Sequence, residues 1–287
     1  DQAKYFYFQI KDYDTFRSYL KDPENPIKRQ VGNELKKVVD GFVLGLYGDV
    51  GAGNRVGTNY TTGTVTVVVN SGAVTGDGTS WDSTMVGKGF KATGHTSWYR
   101  VKSVSSGTAM VIEDDSDDLT SAYTGGAIDA QSTYIVQADS AVAVTTSNIF
   151  GKITDLQTVL TNNEIPQEDR WLVVPAKVGA LIRQSDEYVG VGSEGGRQAV
   201  MNGLLPNRYC GFDVYEVSDA RISGNSTDGY YVLAGHKSAI CFAMGLTEQG
   251  IEDLIGNFGK AYKSLYVYGA KVPDERRKAL AMLFCTC

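Results

Sequence analysis

The chain of 287 residues is 42% hydrophobic and 21% charged, a globular balance that excludes a disordered or fibrous chain. Its net charge of −6 argues against a dedicated nucleic-acid reader, which would carry a basic domain, and leaves room only for a limited DNA-facing surface. No apolar run reaches the roughly 18 residues of a membrane span, so no membrane association is expected.

The opening from Asp1 lacks the basic-then-apolar pattern of a signal peptide. Tyr5 to Ile10 alternates and is aromatic, which predicts a strand. Asp22-Pro23-Glu24-Asn25-Pro26 reads as a turn, with Asn25 capping a helix and Pro26 at its first position. From Ile27 on, Val31, Leu35, Val38, Val39, Phe42 and Leu46 recur at helical spacing, and Lys28, Arg29, Asn33, Lys36 and Lys37 occupy the opposite face. Gly48 to Gly53 stops that helix.

Between Gly53 and Gln137 the composition shifts to Gly, Thr, Ser, Val and Asp, and none of the six prolines falls there. Short β-branched runs (Thr64 to Val69, Gly89 to Ala92, Trp98 to Val104, Ala109 to Glu113, Thr133 to Val136) alternate with turn signals such as Gly76-Asp77-Gly78-Thr79. This predicts an all-β unit of sandwich or barrel type, with Trp81, Trp98 and Tyr99 as the largest members of its core. Asp114, Asp115, Asp117 and Asp118 are expected at an exposed hairpin tip, because they lack the glycine and the glutamate of a calcium loop.

After Val144 an α/β pattern returns. Thr146 or Ser147 is expected to cap a helix running to about Leu160, followed by a buried strand, Trp171 to Val174, and a short helix, Ala176 to Gln184. Asp213 to Val217, Tyr230 to Ala234 and Lys263 to Tyr268 read as strands, and Thr247 to Leu254 as a helix.

No catalytic constellation emerges. Gly190-Val191-Gly192-Ser193-Glu194-Gly195 matches the dinucleotide-binding string, but a polar segment precedes it, and Gly203 and Pro206 interrupt any helix after it, so a loop is expected and no cofactor. His95 and His236 belong to different parts of the chain, and Ser185 and Ser238 lack a nucleophile elbow. Glu164, Glu168 and Asp169 sit in an exposed turn rather than an acid–base pair. Cys210, Cys241, Cys285 and Cys287 are expected as free thiols, too few and too scattered for structural zinc.

Three blocks carry a family likeness: Asn162 to Pro175, then Gly211-Phe212-Asp213-Val214-Tyr215, then Ala239-Ile240-Cys241-Phe242-Ala243 running on to Leu265-Tyr266-Val267-Tyr268-Gly269-Ala270-Lys271. In that order and spacing they resemble the major capsid proteins of tailed bacteriophages, of the HK97-type fold. Gly63 to Val67, Gly76 to Trp81, Met85-Val86-Gly87 and Trp98 to Val104 resemble a β-module of phage structural proteins. The resemblance implies an α+β capsid fold: residues 1–52 as the end of the extended loop and the spine helix of a peripheral domain, 53–137 as an inserted all-β domain, 138–272 as mainly the axial domain, and 273–287 as a return to the peripheral domain. Gly190, Gly192, Gly195 and Arg197 would lie in a loop near a capsomer axis.

The resemblance carries further expectations. The family's N-terminal arm and outgoing loop limb have no counterpart before Asp1, and no lysine–asparagine cross-link can be assigned. Partners would be copies of the chain itself in hexamers and pentamers, packaged double-stranded DNA bound without sequence preference, portal and scaffolding proteins, and a decoration protein. The location would be the virion, after assembly in the host cytoplasm. Lys28, Arg29, Lys36 and Lys37 would then face DNA. The rival readings are an encapsulin-like compartment, a glycan-binding surface protein using Trp81, Trp98 and Tyr99, and a nucleotide-dependent enzyme resting on the glycine string alone.

Overall fold

The computed structural model describes residues 2–11, 24–115, 123–185, 205, 208–222, 224–225, 229–254 and 258–287. The chain divides into two compact units, one of Asp1–Leu44 with Ile240–Lys271 and the other of Gly45–Ala239 with Val272–Cys287.

In the first unit, strand Gln2–Lys11 pairs antiparallel with Gly259–Lys271, from Gln2 opposite Tyr268 to Lys11 opposite Gly259. Gly259–Lys271 in turn pairs with Cys241–Asp253. Alternation puts Phe6 and Phe8 on one face, stacked on Tyr266 and Tyr262 at centroid distances of 6.3 and 4.9 Å. Helix α1, Glu24–Leu44, belongs to this unit, and Phe42 meets Tyr268 edge-on at 5.4 Å. The helix expected over Thr247 to Leu254 is instead part of strand Cys241–Asp253. Twelve rungs join it to the neighbouring strand, and that ladder outweighs a weak local helical spacing. The segment expected with the axial domain, 240–271, therefore clusters with α1.

The second unit has two sheets. One, of eight strands among the described residues, holds Thr58–Tyr60, Tyr134–Ser140, Gly89–Ala92, Tyr99–Ser106, Ala109–Asp114, Ala73–Asp77, Thr64–Val67 and Ile128–Ser132 in spatial order. Ile128–Ser132 lies at one end of this order and Tyr134–Ser140 near the other, with only Thr133 between them, so the sheet curls round into a barrel shape whose ends are joined by the chain rather than by paired strands among the described residues. Its interior is filled by Val65, Val67, Val74, Trp81, Phe90, Tyr99, Val101, Met110, Ile112 and Tyr134. Thr58 pairs with Ser140, so the two ends of the barrel segment leave side by side. Three short strands (Thr58–Tyr60, Ala73–Asp77 and Ile128–Ser132) were not foreseen, since they lack sustained alternation.

The other sheet forms the body, in the order Val142–Ala143, Leu280–Thr286, Gly229–His236, Arg170–Pro175, Phe212–Val217, Arg208–Tyr209. Helices α2, Ile149–Asn162, and α3, Ala176–Gln184, bury Ile149, Ile153, Leu156, Leu160, Val178 and Ile182 against Leu172, Val174, Val232, Ala281 and Leu283. The α2 N-cap is Asn148 rather than Thr146 or Ser147. Leu280–Thr286 sits between other strands of this sheet, so residues 280–286 belong to the body and not to the unit of α1. Arg55–Val56 also pairs with it, at Met282 and Leu283, which moves the start of the inserted segment from Gly53 to about Thr58.

Candidate functional site

On α1, Arg29, Lys36 and Lys37 are exposed, whereas the Lys28 side chain lies outside the described residues. Lys37 Nζ is 2.6 Å from Glu34 Oε1, one turn back on the same helix. The opposite side of α1 is apolar: Val31, Leu35 and Val38, with Lys4, Phe6 and Tyr266, line a cavity of about 370 Å³. The three-stranded sheet leaves Tyr5, Tyr7, Phe242, Met244 and Ile251 exposed, and Phe258, just before strand Gly259–Lys271, is exposed as well.

Gly190, Gly192, Gly195 and Arg197 lie outside the described residues. Trp81 and Tyr99 are in the barrel interior, and Trp81 Nε1 donates to Tyr134 Oη at 2.8 Å. Trp98 is outside that cluster. Gly53 lies on its ring, where a Cβ would stand 2.6 Å from Cδ1, and Lys91 Nζ is 5.7 Å from the ring centroid. Packing thus occupies the aromatic residues that a glycan reading would need.

The acidic tip requires correction. Asp115 is half-buried at the junction of barrel and body: Oδ1 lies 3.3 Å from Arg100 Nε and 3.2 Å from Arg277 Nη1, and Oδ2 accepts from the Ala52 amide at 2.6 Å. Arginines from elsewhere in the chain hold a carboxylate that local pattern assigns to solvent. Asp114 is also partly covered and accepts from Thr124 Oγ1 at 2.7 Å, while Asp117 and Asp118 lie outside the described residues. Arg55 joins the same junction and donates to Gly48 O and Val50 O at 2.9 and 3.0 Å. Burial and the charge of Arg100 pull its pKa down to about 10, against Asp115, Tyr231 and Asp49. Sequence reading missed this cluster, because Arg55, Arg100, Asp115 and Arg277 come from segments far apart in the chain.

Beside Arg55 a cleft of about 740 Å³ separates barrel from body. One wall is a stack of rings, Tyr47 on Tyr231 at 4.3 Å and Tyr231 on Phe284 at 4.7 Å.

Chemistry has little to work with among the described residues. They contain no group of three or more His, Cys, Asp or Glu able to hold a metal. His236 Nδ1 lies 2.8 Å from Ser238 Oγ and also accepts the Ser238 amide, which is a strand-end turn rather than a catalytic pair. Asp169 is hydrogen-bonded by Lys237, which holds its carboxyl below the ordinary range. None of the four cysteines is in a disulfide.

No protein-family model matches the chain. No curated protein matches it either. Solved structures do. A structure of Mycobacterium phage Che8 is 15% identical with a TM-score of 0.57, matching 99% of this chain and 70% of that one. The capsid structure of cyanophage P-SCSP1u is 14% identical with a TM-score of 0.57, matching 99% and 72%. At such identity the likeness is one of fold. The chain has the HK97-like α+β capsid fold, with a long helix and an all-β insertion.

Proposed function

We propose that this chain is a major capsid subunit that assembles with copies of itself into the icosahedral head shell of a tailed bacteriophage, around double-stranded DNA. The observation that carries this reading is the match of 99% of the chain to the fold of a phage capsid structure. The surface of the first unit supports it. Tyr5, Tyr7 and Phe258 are 82%, 54% and 88% exposed, an apolar surface suited to burial against other copies. Strand Gln2–Lys11 also has an outer edge with no partner strand among the described residues, which an isolated monomer would need to protect.

In this reading α1 and its sheet form the peripheral domain, and the body sheet with α2 and α3 forms the axial domain. The barrel is the insertion, set on the outer surface, where a decoration protein would meet it. The loop containing Gly190, Gly192, Gly195 and Arg197 lies near a capsomer axis. Lys28, Arg29, Lys36 and Lys37 face the lumen and meet phosphates without reading bases. Portal and scaffolding proteins are the further partners, the location is the virion after assembly in the host cytoplasm, and the role is structural rather than enzymatic.

Negative-stain imaging of the purified protein tests the reading. Closed particles of uniform diameter are the expected result, with an ultraviolet spectrum dominated by nucleic acid when they are taken from infected cells. Closed particles filled with protein instead would point to a cargo compartment. Monomers or small open oligomers alone, under conditions that support related shells, would overturn the proposal.

A further inference from the structure

At the root of the barrel, ionised groups are buried together. Arg100, on barrel strand Tyr99–Ser106, is 4% exposed, and Arg277, on the 3-10 helix Asp274–Ala279 of the body, is 2% exposed. Both reach Asp115 Oδ1, and Asp115 Oδ2 takes the Ala52 amide in the segment leading into the barrel. One carboxylate thus ties three stretches of chain far apart in sequence. Arg277 also donates through Nε to Asp49 O at 2.9 Å. The other charged groups facing the cluster are Arg55, Asp274, which is 3.9 Å from Arg277 Nη1, and Glu113, opposite Arg100 in the ladder and 3.3 Å from Lys102 Nζ.

This is a costly way to fill a junction. Drying each ion costs several kcal/mol, and attraction returns that only when every donor and acceptor is matched. Arg100 Nε and Nη2, Arg277 Nη1 and Nη2, and Asp115 Oδ1 are buried and make no hydrogen bond among the described residues, so the two guanidiniums meet the carboxylate as close ion pairs. Burial pushes the Asp115 carboxyl up, against the pull of Arg100, the Ala52 amide and Arg55. Apolar side chains of the same volume would seal the junction at lower cost. They would not distinguish one orientation of the barrel from its neighbours, because dispersion and hydrophobic contact are non-directional. An orientation that parts either guanidinium from the carboxylate leaves a buried charge alone, which is strongly destabilising.

We propose that the Arg100–Asp115–Arg277 cluster is a seating device, fixing one orientation of the barrel on the body at a net cost in stability. Its role lies within one subunit, so its test does not depend on shell assembly. In the full chain, spin labels on unnatural amino acids at the exposed positions Thr75 and Thr158 report the barrel-to-body distance. The triple variant R100M/D115L/R277M should melt at or above the temperature of the native chain, while its distance distribution broadens at least twofold. The single variant Asp115→Asn leaves two guanidiniums without their anion. It should melt lower and exchange the Ala52 amide at least tenfold faster, while the barrel amides of Val101 and Ile112 keep their protection. A triple variant with a distribution as narrow as the native one overturns the proposal. So does a triple variant that melts lower, or loss of protection at Val101 and Ile112 together with Ala52 in Asp115→Asn, which would make the cluster part of the barrel's own core.

Discussion

The His95 ring nitrogen Nε2 lies 2.9 Å from the phenolic oxygen of Tyr123 within the barrel. Because the Ala92 amide donates to Nδ1, the proton of the neutral ring sits on Nε2 and is given to Tyr123, whose hydroxyl donates to Gly126 O at 2.7 Å. Protonating Nδ1 breaks the first link. Burial, helped by Lys91, lowers the His95 pKa below its usual 6.5. The stability that neutral His95 contributes is therefore fully present above that value and lost as pH falls through the depressed one. Barrel melting followed between pH 7 and pH 4 should show this loss, and His95→Gln should flatten it while costing about 1–3 kcal/mol at neutral pH. An unchanged slope in His95→Gln would assign the acid sensitivity to another group.

Arg170 is buried beneath the turn after α2. Its Nε donates to Pro166 O at 2.8 Å, Nη1 to Thr161 Oγ1 at 3.1 Å, and Nη2 to Ile165 O. One guanidinium thus ties the end of α2, at Thr161, to the turn carbonyls of Ile165 and Pro166. Arg170→Met should cost about 1–3 kcal/mol in denaturant unfolding, because the turn would lose the hydrogen bonds that its buried guanidinium makes. Arg170→Lys should recover little of it, since a single ammonium cannot span the same fork.

Cys285 is buried and Cys287 exposed, although they stand two residues apart. Interaction with the Cys287 thiol and burial raise the Cys285 thiol, while interaction with Cys285, aided by Lys177, lowers Cys287. Maleimide labelling followed by peptide mass analysis should therefore mark Cys287 first, with a rate–pH midpoint below the ordinary thiol range. Cys285 should label only on unfolding.

Thr58 and Ser140 are paired, so a two-residue Asn-Gly turn can join them and replace residues 59–139. The body should fold without the barrel, losing about 1–3 kcal/mol as the Ala52 and Gly53 amides give up Asp115 and Gln137 as acceptors. Circular dichroism and a single cooperative melt would check this. A molten body would show that barrel and body form one folding unit.

Changing Lys28, Arg29, Lys36 and Lys37 to Gln should leave assembly nearly intact and weaken DNA retention. The slope of log retention against log salt should shrink by about 0.9 for each phosphate no longer neutralised. An unchanged slope would remove these residues from the DNA-facing surface.

Legibility in the sequence tracked the range of the interactions. Ala176–Gln184 was readable because Pro175 sets its start and its apolar spacing is local. The barrel was readable as a type, from β-branched runs and turns, but its short strands were not, because their partners lie far along the chain. Thr247 to Leu254 misled because a short helical spacing carries less energy than the ladder with Gly259–Lys271. Asp115 misled for the converse reason: a carboxylate run looks solvated until arginines from elsewhere converge on it. The family likeness in three blocks of the second half pointed to the HK97-like fold that the solved structures share. It did not mark where the two units divide.

Strand Leu280–Thr286 sets the order in which the body can fold. It is hydrogen-bonded to Gly229–His236, to Arg55–Val56 and to Val142–Ala143, so pieces spread over most of the chain meet on it. Of these it is synthesised last. On a ribosome the barrel, whose pairings all fall between residues 58 and 140, can form as soon as it emerges, while the body sheet waits for this strand. The part of the α2 face that packs on Ala281 and Leu283 stays uncovered in that interval, so apolar exposure during synthesis falls on the body rather than on the barrel.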